Sequence, residues 1–138
     1  MKTGITFSAF DLLHTGHILM LKEAKEQCDF LIAALQVDPS KDRKEKNKPI
    51  QSVFERLIQL KAIKYIDDII VYETEEDVKD ILESYDIDVR ILGEEYKNTN
   101  FTGNDICKRK GIRLYFNKRT HRFSTSNLRN TIKGKHVT

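Results

Sequence analysis

Four short, almost uninterrupted apolar runs constrain the fold more than any other feature of this chain: FLIAAL at 30–35, DIIVY at 68–72, VRIL at 89–92 and IRLYF at 112–116. A strand that is apolar on both sides needs cover on both sides, which is the situation inside a parallel sheet flanked by helices. The stretches between the runs are amphipathic. The pattern predicts strands over Gly4–Ala9, Phe30–Val37, Asp68–Tyr72, Val89–Gly93 and Ile112–Phe116, and helices over Thr15–Gln27, Ser52–Lys64, Glu75–Tyr85, Asn104–Lys110 and Ser126–Lys133. Right-handed crossovers turn such β-α units into an α/β fold, a Rossmann-like doubly wound open sheet of about five parallel strands with helices on both faces.

The 138 residues are expected to form one domain, 1–138, large enough to bury a core without disulfides. No apolar run approaches the ~20 residues that span a bilayer, and MKTGITF reads as a strand, not a secretory signal, so a cytoplasmic location is expected. Cys28 and Cys107 are too few and too far apart for a disulfide framework or a C-x-x-C metal site, and read as buried or half-buried thiols. The net charge of +3, from 24 basic and 21 acidic residues, is too balanced to demand a polyanion. The basic residues instead gather at Lys41–Lys48 and Lys118–Arg129. That distribution, without a zinc finger, an aromatic-glycine strand motif or a long basic helix, favours a small anionic ligand over nucleic acid. The only prolines, Pro39 and Pro49, bound a charged insertion, KDRKEKNK, which reads as a mobile binding loop or a solvated linker.

In open α/β sheets ligands sit beyond the carboxyl ends of the strands, where strand order reverses. After the first strand the chain reads SAFDLLHTGH, with Phe10-Asp11 in the turn and His14-Thr15-Gly16-His17 opening the first helix. Residues three apart share a helix face, and a helix start offers free N–H groups and the positive end of the dipole. Such a place suits phosphate, and paired imidazoles can donate hydrogen bonds to charge building on phosphoryl oxygens. Gly16 allows close approach of a ligand. A zinc site would want a third ligand, and only Asp11 is near in sequence.

A strand, a Phe-Asp turn and then H-x-G-H resembles the cytidylyltransferase branch of the HxGH nucleotidyltransferase superfamily, most of all the glycerol-3-phosphate cytidylyltransferases. The resemblance runs through FDLLHTGH, KYIDDII, IDVRILGEEY and RTHRFSTS in the family's order. It implies that His14 and His17 hold the triphosphate and stabilise the transition state, with Ala9, Phe10, Asp11 and Gly16 around the nucleotide. It further implies that Lys44 and Lys46 reach the phosphates and, for Lys44, the second substrate, although counting alone does not choose among Lys41, Lys44, Lys46 and Lys48.

Arg119 and Ser124-Thr125-Ser126 are similar to the family's R-T-x-x-x-S-T-S/T motif. Those hydroxyl residues are natural helix caps, and capping is compatible with phosphate binding. Gly93, Glu94 and Tyr96 stand where the family has Gly-Asp-Asp-Trp near the cytosine and phosphates. Lys64 stands where an arginine precedes Tyr-x-Asp, keeping the charge but losing the bidentate fork. Ser8-Ala9 replaces Gly-Thr, and Arg122 and Phe123 are larger than the family's residues, so the acceptor pocket is expected to differ, with Arg122 a candidate contact. Asp67 reads as structural.

The activity implied is transfer of CMP from CTP to a small phosphorylated alcohol, glycerol 3-phosphate preferred, with release of pyrophosphate. Phosphocholine, phosphoethanolamine or another polyol phosphate are alternative acceptors. An adenylyltransferase acting on FMN or phosphopantetheine shares the H-x-G-H core, and a nucleotide-binding module without turnover is the non-enzyme alternative. Mg²⁺ is expected, held mainly by the phosphates with Asp11 or Glu94 as a protein ligand. The resemblance also implies a homodimer.

Overall fold

A computed structural model describes residues 1–118. Five parallel strands, β1 (Thr3–Ser8), β2 (Phe30–Gln36), β3 (Asp68–Tyr72), β4 (Val89–Gly93) and β5 (Arg113–Asn117), lie in the order β3-β2-β1-β4-β5. Four α-helices join them: α1 (Thr15–Glu26), α2 (Val53–Lys61), α3 (Glu75–Ser84) and α4 (Asn104–Lys110). This is the doubly wound parallel sheet expected from the apolar runs. The expected helix over 126–133 lies outside the described residues.

Alternation along the strands divides the core into two layers. Leu31, Ala33 and Leu35 of β2 and Val89 and Ile91 of β4 pack with Leu21 and Ala24 of α1 and Leu60 of α2. Ile32 and Ala34 point the other way, with Ile5, against Val78, Ile81 and Leu82 of α3 and Ile106 and Cys107 of α4. Cys28 and Cys107 are both free thiols, half-buried and buried respectively, as the spacing implied.

Element ends follow local chemistry. Ser52 is the cap of α2 rather than its first residue: its side chain accepts from Glu55 N while the Glu55 carboxylate accepts from Ser52 N. Thr74 and Asp77 repeat the device at α3. Helix α2 stops at Lys61, three residues short of expectation, so Lys64 falls in the turn before β3. The charged insertion is not wholly irregular. Asp38 accepts from the Ser40 N–H at 3.0 Å and its hydroxyl at 2.6 Å, which folds Pro39–Lys41 into one 3-10 turn.

The carboxyl ends of β1 and β2 are joined to α2 by one side chain that the periodicity does not reveal. Arg56, 2% exposed, donates from Nη1 to Ala9 O (2.9 Å) and Gln36 O (2.7 Å), and from Nη2 to Val37 O (2.7 Å). Its Nε is shared between Gln51 O and Ser52 O. No lysine can reproduce this planar fork. Arg56→Lys is expected to lower stability by about 3 kcal/mol, read as a lower urea midpoint, because buried carbonyls lose charged donors. An unchanged midpoint would contradict the assignment.

Candidate active site

Strand order reverses between β1 and β4, and a cleft of about 1200 Å³ opens beyond their carboxyl ends. That is where an open α/β sheet leaves room for a ligand, because neighbouring connections depart to opposite faces. One flank carries His14, Gly16 and His17 at the start of α1. The other carries Gln36, Tyr72 and Arg90, with Arg43 and Lys46 from the insertion.

The two histidines are locked by a reciprocal cap. His14 occupies the cap position in extended conformation, and its Nδ1 accepts from Gly16 N at 2.9 Å. His17 Nδ1 in turn accepts from His14 N at 3.2 Å. This is a capping box in which imidazole nitrogens replace the usual hydroxyl and carboxylate oxygens. Accepting at Nδ1 requires that nitrogen to be unprotonated, so each neutral ring carries its proton on Nε2. The ring centroids are 4.2 Å apart, which makes a paired donor edge at a helix start.

Burial is the main cause that pushes the His17 pKa down to about 4, with the neighbouring His14 adding to the fall and Asp11 opposing it. His17 is therefore neutral at physiological pH, a hydrogen-bond donor and not a cation. Phe10 lies beneath it, 1% exposed, with ring centroids 6.2 Å apart.

The loop that presents this pair is held in an uncommon backbone shape. Phe10 and Leu12 have φ of 50° and 52°, left-handed values that side chains disfavour. The surroundings enforce it: Asp11 Oδ2 and Oδ1 accept from Ile50 N and Gln51 N, each at 2.9 Å, and Leu12 N donates to Gln51 Oε1 at 2.9 Å. The β1 loop and the entry to α2 are thereby fastened side to side, above the Arg56 hub.

The structure brings Ala9, His14, Gly16, His17, Lys46, Gly93 and Tyr96 together around the cleft. Other expected residues are placed differently. Phe10 belongs to the core, and the carboxylate of Asp11 is turned to the 50–51 backbone. In the turn after β4, Glu95 lines the cleft and Glu94 does not, since Gly93 starts a 3-10 turn that folds the Glu95 carboxylate back over the Gly93 Cα. Lys44 is exposed and outside the cleft lining, whereas Lys46, two residues on, is within it. Lys64 precedes β3, at the amino end of the sheet, with its Nζ 5.3 Å from the Tyr65 ring. Nearby Asp67 binds Lys25 Nζ at 2.5 Å and Leu31 N at 2.8 Å, the structural role expected of it. Arg119, Arg122, Ser124, Thr125 and Ser126 lie outside the described residues.

A family model described as cytidylyltransferase-like matches residues 5–131, nearly the whole chain. The chain belongs to the cytidylyltransferase-like family. It is 33% identical over 135 residues to a glycerol-3-phosphate cytidylyltransferase of Staphylococcus aureus, a match covering 98% of each protein. It is also 34% identical over 108 residues to an FAD synthase of Thermococcus sibiricus, covering 78% of this chain and 73% of that one. Among solved structures, a lipopolysaccharide core biosynthesis protein of Thermoplasma volcanium superposes with a TM-score of 0.70 at 23% identity, over 88% of this chain and 99% of that one. That likeness shows the shared fold.

This cytidylyltransferase-like chain carries cleft residues that motif reading passes over. Arg43 forms ion pairs with Glu45 at 3.0 Å and Glu75 at 3.7 Å on the cleft rim. Asn117, 5% exposed at the end of β5, donates to Met20 O at 3.2 Å and ties α1 to the sheet edge beside the histidines. Arg90, Gln36 and Tyr72 form a buried polar floor. An arginine inside VRIL, a run otherwise apolar on both faces, was the one visible signal of that floor.

Among the described residues no group of three His, Cys, Asp or Glu is arranged to hold a metal ion, and no described helix is long and apolar enough to cross a membrane. The neutral His17 has a measurable signature. Because the unfolded ring takes its proton near 6.5 and the native ring only near 4, the stability tied to this neutral ring is intact above the first value and is lost as pH falls toward the second. The His17 Cε1–H resonance is expected to titrate with a midpoint near 4. An ordinary midpoint near 6.5 would show that the ring is solvated and not held as described.

Proposed function

We propose that the chain transfers CMP from CTP to glycerol 3-phosphate, giving CDP-glycerol and pyrophosphate. The observation that carries this reading is the reciprocal histidine cap, which fixes two Nε2–H donors at a helix start beside a cleft large enough for a nucleotide and a small acceptor. The near-complete overlap with a glycerol-3-phosphate cytidylyltransferase supports the choice of nucleotide and acceptor. The partial overlap with the FAD synthase supports the shared nucleotidyl chemistry.

In the proposed step an acceptor phosphate oxygen attacks the α-phosphorus of CTP in line with the bond to the β-phosphate. That bond breaks and pyrophosphate leaves. Charge accumulates on the bridging and non-bridging oxygens, so the protein's task is positioning and neutralisation, not covalent catalysis. His14 and His17 donate to these oxygens through Nε2–H, and Lys46 supplies positive charge from the insertion. By their resemblance to the family's R-T-x-x-x-S-T-S/T motif, Arg119 and Ser124–Ser126 would add to phosphate binding.

Mg²⁺ would enter with the triphosphate. The donor set fits a cation held mostly by phosphate oxygens, since Glu95 lines the cleft while both Asp11 oxygens already accept backbone N–H groups. Such an ion supplies charge neutralisation at the phosphates.

A homodimer is also proposed. Ile50, Phe54 and Ile58 at and along α2 are 65%, 70% and 52% exposed, an apolar strip that a second copy would cover.

With glycerol 3-phosphate present, pyrophosphate release is expected with CTP and not with ATP, GTP or UTP. Turnover with ATP alone would overturn the cytidylyl reading. His14→Ala and His17→Ala should each reduce kcat by about 10²-fold or more, as loss of one transition-state donor does elsewhere. Unchanged rates in both variants would remove the pair from the mechanism.

A further inference from the structure

The cleft is also lined by polar residues on the α3 and α4 side of the sheet that the histidine chemistry does not use. Its floor is Arg90, which pairs with Ile5 in the β1–β4 ladder and is 6% exposed. The guanidinium lies between two aromatic rings, 5.0 Å from the Phe7 centroid and 5.1 Å from that of Phe101. Nη1 donates to Thr102 O at 2.5 Å, and the side chain also meets the Cys107 thiol. Nε is buried and has no hydrogen-bond partner.

Among the described residues no carboxylate forms an ion pair with Arg90; Glu75, in the same cleft, pairs with Arg43. Beside it are Gln36 and Tyr72, both buried, with the Tyr72 hydroxyl donating to Gln36 Oε1 at 3.5 Å. A buried cation without a carboxylate partner is costly unless something in the cleft it lines offers it acceptor oxygens.

We propose that Arg90 selects the acceptor by the end opposite its reacting phosphate, taking a tail that bears oxygen acceptors and refusing one that bears an ammonium group. This rests on the cytidylyltransferase reading and deepens it. Hydroxyl or carboxylate oxygens accept from the guanidinium. An ethanolamine or choline tail would instead bring a second cation into a buried site. A quaternary ammonium is normally received on aromatic faces, and here Arg90 already occupies those of Phe7 and Phe101. The floor is therefore built for a polyol or hydroxy-acid phosphate.

The test is calorimetric binding of glycerol 3-phosphate, 3-phosphoglycerate, phosphoethanolamine and phosphocholine to the full chain, with and without a non-reactive CTP analogue. The wild type should bind one of the first two at least about tenfold tighter than either amine. The tighter of those two tells whether the tail oxygen is hydroxyl or carboxylate. Arg90→Met should shrink that ratio by about tenfold or more, losing affinity for the oxygen-bearing tail and gaining it for phosphocholine as the ring faces are freed, with affinity for the CTP analogue retained. Should that variant not bind the analogue, Arg90→Lys is read instead: keeping the charge, it should still refuse phosphocholine.

Wild-type binding of phosphocholine as tight as that of glycerol 3-phosphate, an unchanged ratio in Arg90→Met, acceptance of phosphocholine by Arg90→Lys, or no binding of any acceptor would each overturn the proposal. The readout is binding, so absence of pyrophosphate release would reject the activity while leaving acceptor selection measurable.

Discussion

Two hydrogen bonds at the start of α1 decide what this cleft can do. In most capping boxes the reciprocal acceptors are oxygens that spend themselves on the helix N–H groups. Here the acceptors are His14 Nδ1 and His17 Nδ1, and an imidazole that accepts on one nitrogen presents a donor on the other. The cap therefore begins the helix and sets the tautomer of both rings at once. Burial of His17 keeps that ring neutral and removes the competing protonation state, so its donor needs no proton exchange with solvent to be ready. Preorganised donors of this kind are worth most where water is excluded.

The cap is only as well placed as the loop before it. Two left-handed residues, Phe10 and Leu12, would relax if left alone. Asp11 and Gln51 hold the loop to the entry of α2, and Arg56 holds α2 to the ends of β1 and β2. A charged residue of each sign is thus spent on backbone groups. That is why the Asp11 carboxylate, which looks from its place beside H-x-G-H like a ligand for phosphate-bound metal, serves as a clamp. On the far flank the same sheet carries a different polar floor, Arg90 with Gln36 and Tyr72.

What could be read from sequence was what local chemistry determines. The near-continuous apolar runs announced a covered parallel sheet, because a strand with two buried faces has no polar alternation to show. His14, Gly16 and His17 were legible because three residues in one helical turn fix their own geometry. Ser52 caps α2 rather than beginning it, because a cap and a helix start share the same residue preferences. A motif position does not say where a lysine points: Lys46 lines the cleft and Lys44 does not, and the early end of α2 leaves Lys64 in the turn before β3, at the other end of the sheet. Arg43, Arg56, Arg90 and Asn117 depend on partners far away in the chain, and no periodicity encodes them. Only Arg90 left a trace, a cation in the middle of an apolar strand.

The protonation pattern of the two rings is decisive, and long-range proton–nitrogen correlation spectra of the histidines at neutral pH, recorded with and without CTP, measure it directly. Both His14 and His17 should show an unprotonated Nδ1 and a protonated Nε2, and CTP should shift the two Nε2 resonances. Protonation at Nδ1 in either ring, or Nε2 resonances indifferent to CTP, would contradict the claim that the helix cap and the phosphate site are the same pair of imidazoles.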